Sequence, residues 1–111
     1  MGYLVYGNCG EYEFDDRTLA HLKAAMNLKL RRQECFMLSW ANPVEKGSGR
    51  LSLWISPHIP LVFRFSGSRP PQLNDAWVRV LSELSHTTRG LVVVEESEVE
   101  EYVARLATRE G

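Results

Sequence analysis

The chain has 111 residues, 44% of them hydrophobic, and a net charge of −1. That is enough apolar material for one core and too little for two, which excludes a disordered chain. No apolar run approaches the roughly 20 residues that a bilayer-spanning helix requires. The near-neutral total hides a division. Residues 1–16 carry four carboxylates and no Lys or Arg, residues 17–71 carry nine cations against two carboxylates, and residues 72–111 carry four Arg against eight carboxylates. A basic middle attracts phosphate unless the acidic ends fold back and cancel it.

Residues 3–6 and 11–14 are rich in strand formers and flank Gly7, Asn8, Cys9 and Gly10. They predict a β-hairpin with Tyr12 and Phe14 inward and the Glu side chains in water. Asp15 or Asp16 caps a helix running to about Arg32, with Leu19, Leu22, Met26 and Leu30 as its buried stripe. Arg17, His21, Leu28, Arg31 and Arg32 lie roughly opposite that stripe. Residues 35–41 form a strand with Phe36, Leu38 and Trp40 on one face. Residues 42–49 read as a long hairpin connection. The strand over 50–56 follows, with Leu51, Leu53 and Ile55 inward and Arg50, Ser52 and Trp54 outward. Pro57 and Pro60 break the pattern, and residues 61–65 resume it with Leu61, Phe63 and Phe65 on one face.

Residues 66–71 hold two prolines and cannot be regular structure. Asn74 caps a second helix over about 75–85, with Ala76, Trp77, Val80, Leu81 and Leu84 as its core stripe. Residues 91–94 are wholly apolar, which predicts a strand covered on both faces. Ser97 and Glu100 read as a capping box for a last helix that buries Val99, Tyr102, Val103 and Leu106. The order ββ-α-βββ-α-β-α predicts a single α+β domain over 1–94 with a mostly antiparallel sheet. Residues 95–111 form an acidic amphipathic helix packed on that domain or appended to it.

Catalytic patterns fail. Residues 47–50 are too short for a phosphate loop and lack its Lys, and no G-x-S-x-G elbow or H-E-x-x-H helix occurs. His21, His58 and His86 stand alone, and His58 is the best held of the three, between Pro57 and Pro60. Cys9 and Cys35 read as reduced thiols of a cytoplasmic protein; a disulfide would need their strands side by side. Four scattered Cys and His residues do not make a zinc site, so no metal, cofactor or catalytic residue is expected. Nor is a signal peptide, since the first residues lack a basic start and a long apolar stretch.

Two candidate sites survive. The stiff segment 64–74 offers backbone N–H groups near a helix start, with Arg64, Ser66, Ser68 and Arg69 as anion ligands. The alternative is a plain strand-to-helix connection with Arg69 paired to Asp75 or a terminal Glu. The outward sheet face puts Trp54 among Arg50, Ser52 and Arg64, a stacking platform for single-stranded nucleic acid. The alternative is that the last helix or a partner subunit covers Trp54. Leu28, Arg31 and Arg32 are a candidate interaction face, or else cations answering the helix dipole.

Three stretches carry a resemblance. Phe14-Asp15-Asp16-Arg17-Thr18-Leu19-Ala20-His21-Leu22 is the first, and Lys29-Leu30-Arg31-Arg32 running into Phe36-Met37-Leu38-Ser39-Trp40 is the second. The third spans Ser52-Leu53-Trp54-Ile55, residues 60–69 and Leu73-Asn74. Over residues 1–94 they resemble short uncharacterised proteins of actinobacteria and their phages, often labelled "ATP-dependent DNA ligase". Ligase chemistry does not follow from the label. Adenylation needs a Lys in a K-x-D-G setting, and Lys23, Lys29 and Lys46 precede Ala24, Leu30 and Gly47. The resemblance implies at most DNA-associated biology, and the helix after Glu95 looks like an addition to the family's length.

The expectation is a small non-enzymatic cytoplasmic module, associated with nucleic acid through Arg50, Arg64, Arg69 and Trp54. The acidic last helix is the element expected to cover or regulate that surface. The alternatives are a protein-interaction or homo-oligomerising module, and an enzyme with an unfamiliar site around His58, Arg64, Ser66, Ser68 and Arg69. No membrane partner is expected.

Overall fold

The computed structural model describes residues 1–8, 10–42 and 49–110. In chain order the elements are β1 (Gly2–Tyr6), β2 (Gly10–Phe14), α1 (Asp16–Arg31), β3 (Phe36–Asn42), β4 (Gly49–Ile55) and β5 (Leu61–Arg64). There follow α2 (Asp75–Leu84), β6 (Leu91–Val92), a 3-10 turn (Glu96–Glu98) and α3 (Val99–Glu110). This is the expected α+β order with mostly antiparallel pairing, but the strands divide between two sheets. One has the order β2-β1-β5 and the other β4-β3-β6. The break at Pro57 and Pro60 accounts for the division. It frees β5 from the plane of β4, and β5 pairs antiparallel with β1, Tyr3 opposite Arg64 and Leu4 opposite Phe63. The connection over 43–48 and Cys9 lie outside the described residues.

Alternation decides which side chains enter the core. Leu4, Tyr6 and Phe14 from the first sheet and Phe36, Leu38, Trp40 and Ile55 from the second are buried in one cluster with α1 and α2. Trp40 meets Tyr12 and Phe14 edge-on, with ring centroids 5.3 and 5.1 Å apart, and so joins the sheets through aromatic contact. Tyr6 adds a polar joint: its hydroxyl donates to the Trp54 carbonyl (2.6 Å) and accepts from Ser56 N–H (2.9 Å).

Several expectations need correction. Residues 91–94 do not form a strand covered on both faces. β6 is a two-residue edge strand parallel to β3. It is apolar because Leu91 and Val94 are buried in the core, where Trp77 donates its indole N–H to the Val94 carbonyl (3.0 Å). The last helix is not opened by Ser97 and Glu100. Glu95 N–H donates to Glu98 Oε1 (3.1 Å), which starts the 3-10 turn two residues earlier. Val103 is exposed, because α3 packs on α2 through a narrower stripe of Val99, Tyr102 and Leu106. Finally, α1 is buried over a wider arc than one stripe. α2 covers its second flank, and His21 is fully buried there.

Two backbone positions mark where side-chain choice and geometry meet. α1 ends in a Schellman motif, with Gln33 N–H bonded to the Leu30 carbonyl and Glu34 N–H to the Lys29 carbonyl. Gln33 takes a φ of 60°, a position that glycine fills without steric cost. Gly90 has φ +77°, and a Cβ there would lie 2.6 Å from the Met37 carbonyl oxygen. Gln33→Gly is therefore expected to stabilise the fold by about 0.5–1 kcal/mol in urea unfolding, after the added freedom of the unfolded chain is discounted. Gly90→Ala is expected to cost at least about 2 kcal/mol in the same measurement, because backbone cannot step aside.

Candidate binding surfaces

The start of α1 does more than begin a helix. Asp15 is its cap, accepting from Thr18 N–H (3.1 Å) and the Thr18 hydroxyl (2.6 Å). That leaves Asp16 free to turn outward, where its carboxylate accepts from Ser66 N–H (3.2 Å) and Gly67 N–H (2.8 Å). Arg17 donates to the Gln72 carbonyl (3.1 Å). One turn on, His21 Nε2 accepts from Asn74 N–H (2.8 Å). A backbone N–H can only donate, so the His21 proton sits on Nδ1 and is donated to the Arg17 carbonyl (2.7 Å). The ring stacks on Trp77 with centroids 4.3 Å apart. Three side chains of α1 thus fix the 66–74 loop at four backbone positions.

Glu96 closes the arrangement. It takes a two-pronged hydrogen bond from Arg17 (2.8 and 2.7 Å) and one from Asn74 Nδ2 (3.0 Å). Asn74 meanwhile caps α2, accepting from Ala76 and Trp77 N–H. The Arg17 and Asn74 hydrogen bonds lower the Glu96 carboxyl from its ordinary 4.5 to about 2. The Gly67 and Ser66 N–H groups lower Asp16 as well.

These contacts decide the fate of the basic middle. The amide groups of Ser66 and Gly67, expected to hold an external anion, already hold Asp16. Arg64 and Arg50 do not share a face, because β5 belongs to the other sheet. Arg64 lies over the Tyr3 ring (4.9 Å) and pairs with Glu11 (3.3 Å). His58 lines a separate depression with Leu30, Gln33 and Pro60. The residues of the imagined catalytic site therefore do not share a cleft. Cys35 is an exposed free thiol.

Two surfaces remain. The first is a pocket of about 410 Å³ between α1 and the pinned loop, lined by Ser68 and Arg69 among others. The alternative pairing of Arg69 with Asp75 or a terminal Glu is not seen: Arg69 makes no ion pair among the described residues. The second is the outer face of the β4-β3-β6 sheet. Trp54 stands there 57% exposed, opposite Met37, with Ser52 opposite Ser39 and Arg50 opposite Ala41. The Ser39 and Ser52 hydroxyls are hydrogen-bonded (2.8 Å). Arg50 and Arg89 border a depression of about 860 Å³ over these serines, and no carboxylate lines it among the described residues. α3 does not cover this face. It packs on α2 and alongside residues 84–89. Leu28, Arg31 and Arg32 are exposed at the end of α1.

Sequence reasoning missed the roles of His21 and Glu96. Positions 17, 74 and 96 meet across long sequence separations, which leaves no local spacing to find. One signal was present: an Asp pair at a helix start supplies one carboxylate more than a cap requires.

Linkage gives the sign of the pH effect. Both carboxyls titrate lower folded than unfolded, so each adds stability above its ordinary value that is lost on acidification, for Glu96 as pH falls from about 4.5 toward 2. Urea unfolding is expected to show less stability at pH 3 than at pH 6, with a smaller difference in Glu96→Gln.

No curated protein and no solved structure gives a significant match. A family model does match, over residues 1–96, a span that takes in both sheets, α1, α2 and the whole Asp16–Glu96 arrangement. The chain belongs to that family, a domain of unknown function, DUF7882.

Proposed function

We propose that the chain is a small non-enzymatic binding module whose open β4-β3-β6 face takes single-stranded nucleic acid. The observation that carries this reading is Trp54, 57% exposed on the strand face that also carries Ser52 and Arg50, which with Arg89 line a depression farther along the same face. An indole offers a flat face to any base, and two cations bordering a depression with no carboxylate among its described lining residues suit the phosphates between bases. Arg64 and Arg17 take no part, since Glu11 and Glu96 engage them. The resemblance to actinobacterial and actinophage proteins often labelled "ATP-dependent DNA ligase" implies at most DNA-associated biology, which accords with this reading. It takes the chain to act in the cytoplasm. Among the described residues no helix is long and apolar enough to cross a membrane.

A second reading is a protein-interaction or self-associating module. Met37, 37% exposed and directly across from Trp54, favours it, since an aromatic–Met pair beside Arg suits a protein partner.

Tryptophan fluorescence separates the two. Trp40 and Trp77 are 7% and 2% exposed, so external quenching reports Trp54. A short oligothymidylate is expected to quench the emission at low salt and to release it as salt rises. Trp54→Ala, read by the anisotropy of a dye-labelled oligothymidylate, is expected to weaken binding about tenfold, the worth of one stacked base. Arg50→Gln is expected to lower the salt slope by about one. Unchanged emission at low salt, or binding indifferent to salt, refutes the nucleic-acid reading. A Trp54 signal that depends on protein concentration alone supports the second.

A further inference from the structure

The pocket between α1 and the 66–74 loop belongs to neither reading above. Its floor is apolar: Ala20 and Ala24 from α1, and Phe65 and Leu73 from the two ends of the loop. Its rim carries Lys23 and Arg69. Lys23 Nζ lies 5.9 Å from the Phe65 ring centroid, so one cation already leans over the apolar floor. Neither cation makes an ion pair among the described residues. Asp16 closes one end, with its carboxylate turned to the Ser66 and Gly67 N–H groups and away from the cations on the rim.

The pocket is also preformed. Four tethers hold its loop wall: two N–H groups on Asp16, the Gln72 carbonyl on Arg17 and Asn74 N–H on His21. Pro70 and Pro71 stiffen the span between them. A wall that is already ordered costs a ligand little entropy on binding. At about 410 Å³ the volume falls in the range of small-molecule sites.

We infer that this pocket binds a small amphipathic anion, a flat apolar body carrying one carboxylate or similar group. The body lies on Ala20, Ala24 and Phe65, and the anionic group meets Lys23 and Arg69. Charge selects the occupant: two unpaired cations over an apolar floor reward a ligand that has both features and reject a neutral one of equal shape. Leu28 and Arg31 continue the same exposed side of α1 by one turn, so a longer ligand meets a further apolar contact and a further cation.

The test is a nuclear magnetic resonance titration of the full chain with 2-naphthoate and, separately, its uncharged amide. 2-Naphthoate is expected to shift backbone amides of residues 16–27 and 65–73, and the amide to bind at least about fivefold more weakly. Lys23→Gln and Arg69→Gln, both at exposed positions, are each expected to weaken naphthoate about two- to fivefold and to leave the amide unchanged. Trp54→Ala is expected to leave naphthoate binding intact, which separates this site from the sheet face. Shifts elsewhere, equal binding of the two probes, no binding at millimolar probe, or indifference to both charge variants overturns the inference.

Discussion

The fold depends on a buried imidazole that has one tautomer available to it. His21 lies between the Arg17 carbonyl and the Asn74 N–H, with Trp77 against its face. Burying that ring is tolerable because both nitrogens are satisfied, one as donor and one as acceptor. The same two bonds fix where α1 meets the start of α2. Once that junction is set, Asn74 can cap α2, Arg17 can reach Gln72 and Asp16 can reach Gly67. The stiffness of the 66–74 loop is thus a property of α1 as much as of its own prolines.

The charge division takes its meaning from this geometry. The acidic ends do fold back on the basic middle, but at particular points: Glu11 on Arg64, Asp16 on two amides, Glu96 on Arg17. Exposed ion pairs of this kind add little stability singly. Their effect here is on surface character. They withdraw Arg64 and Arg17 from any external anion and leave Arg50, Arg89, Lys23 and Arg69 to define the open sites. Of the basic middle, Arg50 borders the open sheet face together with Arg89 from the acidic last third, Lys23 and Arg69 border the loop pocket, and Arg31 and Arg32 stay exposed at the end of α1.

Much of this was legible in the residues. Alternation over 36–40 and 50–55 gave the inner and outer faces of β3 and β4, so Trp54 was placed correctly before its exposure was known. Asp15 and Asn74 announced their helices because capping is a local code. What could not be read was pairing across distance. Nothing in residues 61–64 says that they join β1 rather than β4, and the joint face assumed for Arg50 and Arg64 failed on that point. His21 misled for a related reason. Helical periodicity identifies one buried stripe, whereas a helix flanked by a second helix is buried on two sides. The small residues and prolines of 64–74 read as a stiff segment suited to an anion. Its anion turned out to be an internal carboxylate.

The pairing of Arg17 with Glu96 joins positions 79 residues apart. The β1–β2 hairpin and α1 can form from neighbouring chain, but this bond waits for almost the whole matched span. Closure over such separations comes late, because chain entropy must be surrendered before the contact repays it. During synthesis the 66–74 loop therefore exists for a time with Arg17 and Asn74 lacking their shared carboxylate. The residue at which the family match ends accepts a side-chain hydrogen bond across 79 residues, so the last position of the matched span ties its end back to its first helix.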